Sequence, residues 1–280
     1  MKLRLGVGAA LFVIGLVLAG LALAQHGKPW GFRGHGAVLA EATHNVELVP
    51  SSERAERDRL DDALLPKTAG TFLDDGDSLR VGVHSEARLV RPGGALVLGD
   101  GTRATITGKG LRLDQGTIDV TIDKGGAPLV VELPAPASTL TLRAADVDGA
   151  FRVLSDGKQE VRVLVRAGSV DASSGGGAKS VTAGKVLAIG GAGAPRVDAP
   201  PSSLAITASC TDRRVSVVAP PATQLFIDGA LYYPEGGQLT VATVAEHPDR
   251  THVLGRDVAG NIAPAAEIVC VAAPPPPTKP

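Results

Sequence analysis

Residues 116–123 read Gly-Thr-Ile-Asp-Val-Thr-Ile-Asp, so that Ile118, Val120 and Ile122 alternate with Asp119, Thr121 and Asp123. Successive side chains of an extended chain point to opposite faces, so this spacing puts the apolar residues on one face and the polar ones on the other. β-Branched side chains are stiff in a helix and pack well on a pleated surface. The same period recurs on both sides. Leu79, Val81 and Val83 alternate with Arg80, Gly82 and His84, and Val161, Val163 and Val165 alternate with Arg162, Leu164 and Arg166. Asp75-Gly76, Asp100-Gly101, Asp148-Gly149 and Asp156-Gly157 separate such runs, as do Gly93-Gly94 and Gly125-Gly126. Asp-Gly supplies the positive φ angles that tight hairpins need. From Asp75 to Ile189 the pattern predicts half-buried strands at about ten-residue spacing, as in a sandwich, barrel or solenoid. A weak recurrence begins at Gly116, Gly168 and Gly184 (Gly-Thr-Ile-Asp-Val, Gly-Ser-Val-Asp-Ala, Gly-Lys-Val-Leu-Ala) and points to stacked similar units, at spacings too unequal for a formal repeat.

Composition agrees with an all-β chain. Of 280 residues, 35 are Gly and 20 are Pro, about a fifth where ~12% is usual. Inside helices these residues cost about 1 and 3 kcal/mol each, which argues against a helical fold. Hydrophobic residues at 44% exclude a disordered chain. A net charge of −1 excludes nucleic-acid binding through bulk positive charge. Aromatics at 3% leave few platforms for stacking on bases or sugars, and two cysteines cannot supply a four-ligand zinc site.

Lys2 and Arg4 precede an uncharged run that begins at Leu5 and ends at Ala24. About 20 helical residues span the ~30 Å of a bilayer core. Ala22 and Ala24 fit a signal-peptide cleavage site, whereas the length of the run and the nearby Trp30 and Phe32 fit a retained anchor. Both readings place Gln25 onward outside the cytoplasm, either as periplasmic domains on the inner membrane or as an exported protein. In an oxidising compartment Cys210 and Cys270 are expected to pair as a structural disulfide.

The expected organisation is a signal or transmembrane helix over residues 1–24, a glycine-rich stalk over 25–36, an all-β domain over 37–191, a linker over 192–203, a second all-β unit over 204–272 and a proline-rich tail over 273–280. The mixed-charge run SSERAERDRLDDALL at 51–65 reads as a solvated loop or short exposed helix. Short strands are expected at 204–209, 214–218, 224–227, 238–244, 252–256 and 267–271, which suits a small immunoglobulin-like sandwich. Cys210 and Cys270 would tie its first and last strands, unlike the inter-sheet bond of antibody domains.

An ordered series spans the first all-β domain. Gly76-Asp77-Ser78-Leu79-Arg80-Val81-Gly82 is followed by Ser85-Glu86-Ala87-Arg88-Leu89-Val90 and Leu96-Val97-Leu98-Gly99-Asp100-Gly101-Thr102. Then come Leu113-Asp114-Gln115-Gly116-Thr117-Ile118-Asp119-Val120, Leu129-Val130-Val131-Glu132 and Asp148-Gly149-Ala150-Phe151-Arg152-Val153. Val163 to Val170 and Ala183-Gly184-Lys185-Val186 close it. The series resembles the FecR-type domain of bacterial envelope regulators and covers over half the chain. The second unit is similar to bacterial Ig-like modules through Phe226-Ile227-Asp228-Gly229 and Asp257-Val258-Ala259-Gly260-Asn261. The resemblance implies an envelope protein engaged in protein binding or signal transduction. Regulatory members carry a cytoplasmic segment for a sigma factor, whereas only Met1 to Arg4 precede the apolar run here, which puts direct sigma-factor control in doubt.

Catalytic motifs do not emerge. Gly177-Ala178-Lys179-Ser180 lacks the glycine spacing of a phosphate loop and lies between strands. His247 and His252 stand in a loop context without the further ligands a metal needs. Asp74-Asp75-Gly76-Asp77 and the stretch from Asp257 to Asn261 carry oxygen ligands for calcium, yet read more simply as turns. Asp119 and Asp123 are expected to face solvent, and nothing sets a second acid across a cleft from them. Tyr232 and Tyr233 are the remaining aromatic candidates for a glycan platform, with one core and one rim residue as the plainer reading. The expected function is a non-enzymatic, membrane-anchored or exported envelope protein without a cofactor that binds an envelope protein. The alternatives are a signal sensor acting through a separate anti-sigma partner and a cell-wall or polysaccharide binder.

Overall fold

The computed structural model describes residues 37–49, 51, 65–66, 70–134, 137–144, 146–158, 160–190, 194–243 and 249–271. The expected N-terminal helix and stalk, most of the charged run at 51–65, His247 and the proline-rich tail lie outside these residues. Within them the chain is all β, with no α-helix.

The first unit comprises β1 (Ala37–Thr43), β2 (Val46–Val49), β3 (Leu65–Pro66), β4 (Thr71–Leu73), β5 (Ser78–Val81), β6 (Glu86–Arg91), β7 (Gly94–Leu98), β8 (Arg103–Thr107) and β9 (Gly110–Ile122). It continues through β10 (Leu129–Leu133), β11 (Ser138–Arg143), β12 (Gly149–Ser155), β13 (Glu160–Ala167), β14 (Ser169–Ser174), β15 (Gly177–Thr182), β16 (Lys185–Gly190) and β17 (Arg196–Asp198). The ladder has two layers. One runs β4-β1-β6-β7-β9-β12-β13-β16-β17. The other runs β3-β2-β5-β8-β9-β10-β11-β14-β15. All pairings are antiparallel except β9 with β10.

The long strand β9 belongs to both layers. Its first half pairs with β8 and β10, and its second half with β7 and β12. Gly116, where it changes layer, has φ of 109°. Gly168 lies between β13 and β14, and Gly184 between β15 and β16, with φ of 87° and 80°. Each therefore sits where the chain passes from one layer to the other, in a conformation that favours glycine. The recurrence seen in the sequence marks layer crossings.

The period-two residues within strands point inward as expected, whereas Val83 lies in the turn after β5 and is only half buried. Ile118, Ile122, Val161, Val163 and Val165 are fully buried and join a single core drawn from both layers, with Phe151 the largest side chain in it. Burying one such side chain contributes about 1.5–3 kcal/mol. Two expectations need correction. Asp148-Gly149 is not a hairpin turn: Gly149 opens β12, and a Cβ there would lie 2.7 Å from the Phe151 ring, so its glycine makes room for the core aromatic. The linker is not free of structure either, because Leu187 and Val197 are register partners where β17 extends the sheet beside β16.

The second unit holds β18 (Thr207–Thr211), β19 (Arg214–Val218), β20 (Gln224–Ile227), β21 (Ala230–Tyr232), β22 (Gln238–Ala242), β23 (Arg250–Arg256) and β24 (Ile262–Val269). They form a three-stranded sheet β18-β19-β22 and a four-stranded sheet β21-β20-β23-β24 around their own core. Cys210 and Cys270 are bonded, with Cα atoms 4.5 Å apart. Because β18 and β24 are outer strands of different sheets, the disulfide does join the two sheets, at their edge. Beside it the Val271 amide donates to the Cys210 carbonyl (3.2 Å) and the Asp212 amide to the Val271 carbonyl (3.1 Å).

Candidate binding cleft at the junction of the two units

The second unit packs on the outer face of the first. On that face a half-buried strand pattern predicts polar side chains, yet Leu154, Leu164 and Val186 stand there on β12, β13 and β16. They are buried against Ala222 and Val258 of the second unit, with Tyr233 and Ala259 at the margin. Polar contacts fix the orientation. Asp100 accepts from Arg256 Nη1 through its carboxylate (3.2 Å) and from Gln224 Nε2 through its main-chain carbonyl (3.3 Å). Arg256 also lies over the Phe226 ring, 5.7 Å from its centroid, and His84 stacks on Phe226 at 6.1 Å. Lys158 pairs with Glu235 across the same boundary.

Beside this contact is a cleft of about 320 Å³ whose lining includes Asn45, Glu47, Arg80, Arg103 and Gln115 of the first unit and Leu231 and Tyr233 of the second. Its floor is one cross-strand row. Glu47 on β2 faces Arg80 on β5, Arg80 faces Arg103 on β8, and Arg103 faces Gln115 on β9. A bulge between Arg103 and Ala104 brings Gln115 into that row in place of Asp114. The roof comes from the hairpin β20–β21, turned at Asp228-Gly229 with φ of 48° and 82°. The Leu231 side chain lies directly over Gly101, where a Cβ would clash. Gln224 Nε2 donates to the Tyr233 hydroxyl at 3.2 Å. Burial pushes that hydroxyl above the ordinary tyrosine range; Gln224 opposes the shift, and the charges of Asp100 and Asp156 add to it.

The residues singled out in the sequence have other tasks. Asp77 is buried and accepts from the Ser51 amide (2.8 Å) and the Asp74 amide (2.9 Å), so it ties down a turn. Asp257 is likewise buried and accepts from the Asn261 amide (2.9 Å) and Asn261 Nδ2 (2.8 Å). Asp119 does not face open solvent alone: its two oxygens take Arg152 Nε (2.8 Å) and Nη2 (2.7 Å). The His252 amide donates to Asp228 Oδ1 at 2.8 Å. Contrary to the expectation from the sequence, the run from Gly177 to Ser180 does not lie between strands but belongs to β15, with Lys179 exposed on it. Tyr232 packs on the second core, while Tyr233 reaches the junction. Among the described residues no three His, Cys, Asp or Glu side chains converge as a metal site. The cleft residues Arg80, Arg103 and Gln115 were not singled out by sequence reading, since as separate polar positions on separate strands they carry no local motif.

No family model and no curated protein matches this chain. Among solved structures it is similar to two crystal structures, at 2.50 and 1.65 Å, of a candidate anti-sigma factor from Parabacteroides distasonis ATCC 8503. Identity is 13% and 12%, and the TM-score is 0.37 for both. The match covers 45% of this chain and 60% of the other.

Proposed function

We propose that this is a non-enzymatic envelope protein, with a FecR-type domain and an immunoglobulin-like module, that binds a protein partner outside the cytoplasm. The segment between Leu5 and Ala24 would hold it at the inner membrane or export it. The observation that carries this reading is an open sheet edge. β15 pairs with β14 on one side and with no described strand on the other, and Gly177, Ala178, Lys179 and Ser180 along it are exposed. Unpaired main-chain groups on such an edge are a template for an added strand. A non-enzymatic role is supported by the engagement of Asp77, Asp119 and Asp257 in turns and an ion pair. The test is in-cell crosslinking of tagged full-length protein followed by mass spectrometry. Reproducible capture of one envelope protein is expected. Hydrolytic or transferase turnover by the purified protein, abolished by a point substitution in it, would overturn the reading.

A second reading, a signal sensor acting through a separate anti-sigma partner, is favoured by the ordered FecR-type series from Gly76 to Val186. It requires that deleting the gene alter sigma-dependent transcription; unchanged transcription contradicts it. The glycan-binding reading is less favoured, because Tyr232 and Tyr233 are both partly buried, against the second core and the junction.

A further inference from the structure

Two arginines stand side by side on the floor of the junction cleft. Arg80 and Arg103 are direct register partners on adjacent strands, and both are exposed on the same face. Neither makes an ion pair among the described residues. Like charges directly opposite each other destabilise a sheet. Glu47 lies on the far side of Arg80, so the Arg103 guanidinium has no neighbouring acid in the row, only Gln115. Elsewhere on the first unit, exposed arginines do find acids: Arg112 pairs with Asp114 at 2.9 Å, Arg143 with Asp171 at 3.1 Å and Arg196 with Asp198 at 3.1 Å. The couple, without an ion pair among the described residues, thus occurs where the second unit roofs the sheet. The roof is held in place by Gln224 and Arg256 on Asp100. A roof fixed in this way keeps the ordering cost of binding low.

We propose that this cleft binds a carboxylate carried on an acidic peptide segment of the partner. Arg80 and Arg103 share the carboxylate through their planar donor forks. The amides of Asn45 and Gln115 serve adjoining peptide groups, and Leu231 covers the apolar stem of the acidic side chain. A peptide is favoured over a sugar acid because Tyr233, the aromatic side chain of the lining, is partly buried against the junction and offers little open ring for a sugar face to stack on. This inference rests on the protein-binding reading above and names the chemistry of one contact within it.

The test is calorimetric titration of the full-length protein, held in zwitterionic detergent, with the blocked peptide acetyl-Ala-Glu-Leu-Glu-Ala-amide and its Gln-for-Glu counterpart. The glutamate peptide is expected to bind at least about tenfold more tightly than the glutamine peptide, the size of one charge-assisted contact. Arg80→Gln and Arg103→Gln are each expected to weaken it by about the same factor, and added salt to weaken it further. Arg103→Gln is expected to leave the thermal midpoint unchanged or raised, since it removes a like-charge contact. That distinguishes loss of binding from loss of fold. Absence of binding at millimolar peptide, equal binding of both peptides, or variants that bind like the parent would overturn the proposal. So would arginine-dependent binding of a hexuronate oligosaccharide without peptide binding. If the peptide does not bind while a photo-crosslinker at position 179 on β15 still captures a partner in cells, the cleft assignment falls while the protein-binding reading stands.

Discussion

At the scale of single residues, glycines of the same type carry different loads. Gly184 has φ of 80° with open space where a Cβ would go, whereas at Gly168, with φ of 87°, a Cβ would press on the Arg143 carbonyl and lie 2.8 Å from the Phe151 ring. Gly184→Ala is expected to cost about 1 kcal/mol, the price of a left-handed alanine. Gly168→Ala is expected to cost at least about 1–3 kcal/mol more through overpacking; denaturant midpoints of the two variants check the order. Tyr233 gives a pH signature. Because burial raises its folded value above the unfolded ~10, the folded state holds this proton longer than the unfolded state does. Its contribution to stability is therefore complete below about pH 10 and lost as pH rises toward the folded value. Tyr233→Phe is expected to flatten the decline in stability between about pH 10 and 11.5, read from urea midpoints. Local turn chemistry was legible at this scale, as Gly76, Gly101 and Gly157 all have positive φ. Gly149 was not, because its reason is an aromatic ring in the core rather than its aspartate neighbour.

At the scale of elements, strand existence followed from the period of two, and β19 and β20 span the expected 214–218 and 224–227. Strand partnership did not follow. Nothing local says that β9 serves both layers, since a 13-residue alternating run fits one long strand in one sheet equally well. The strand β21 was missed because it has only three residues, too few to show a period. The turn between β18 and β19 contains no glycine: Asp212 and Arg213 carry φ of 48° and 59° themselves. The disulfide acts at this scale too. It closes a sequence separation of 60 and ties the outer strands of two small sheets. Replacing both Cys210 and Cys270 by serine is expected to destabilise the second unit by about 4 kcal/mol on chain-entropy grounds. Differential unfolding of the serine variant against the parent checks this, and two free thiols in the folded protein would contradict the pairing.

At the scale of the whole molecule, the junction decides what the surface can offer. A leucine at 164, between Arg162 and Arg166 on the outward side of β13, looks like a break in the alternation when the strand is read alone. It becomes intelligible only once Ala222 and Val258 cover it, leaving it 8% exposed. The cleft has the same character: its row of side chains comes from four strands and its roof from another unit, so no stretch of sequence contains it. Val186→Asp is expected to separate the units while leaving each folded: its register partners Leu164 and Asp198 carry no positive charge, and a buried unpaired carboxylate costs more than the junction contact returns. Small-angle scattering would show a larger radius of gyration, and proteolysis would cut between residues 198 and 204.

The central claim is that the open side of β15 receives a partner strand. The most direct measurement places a photo-crosslinking amino acid at position 179 on that edge, in full-length protein in living cells, with position 124 in the β9–β10 turn as the control. Capture of a single protein species at 179, absent at 124, is the expected result. No capture at 179, or the same species captured equally at both positions, would contradict it.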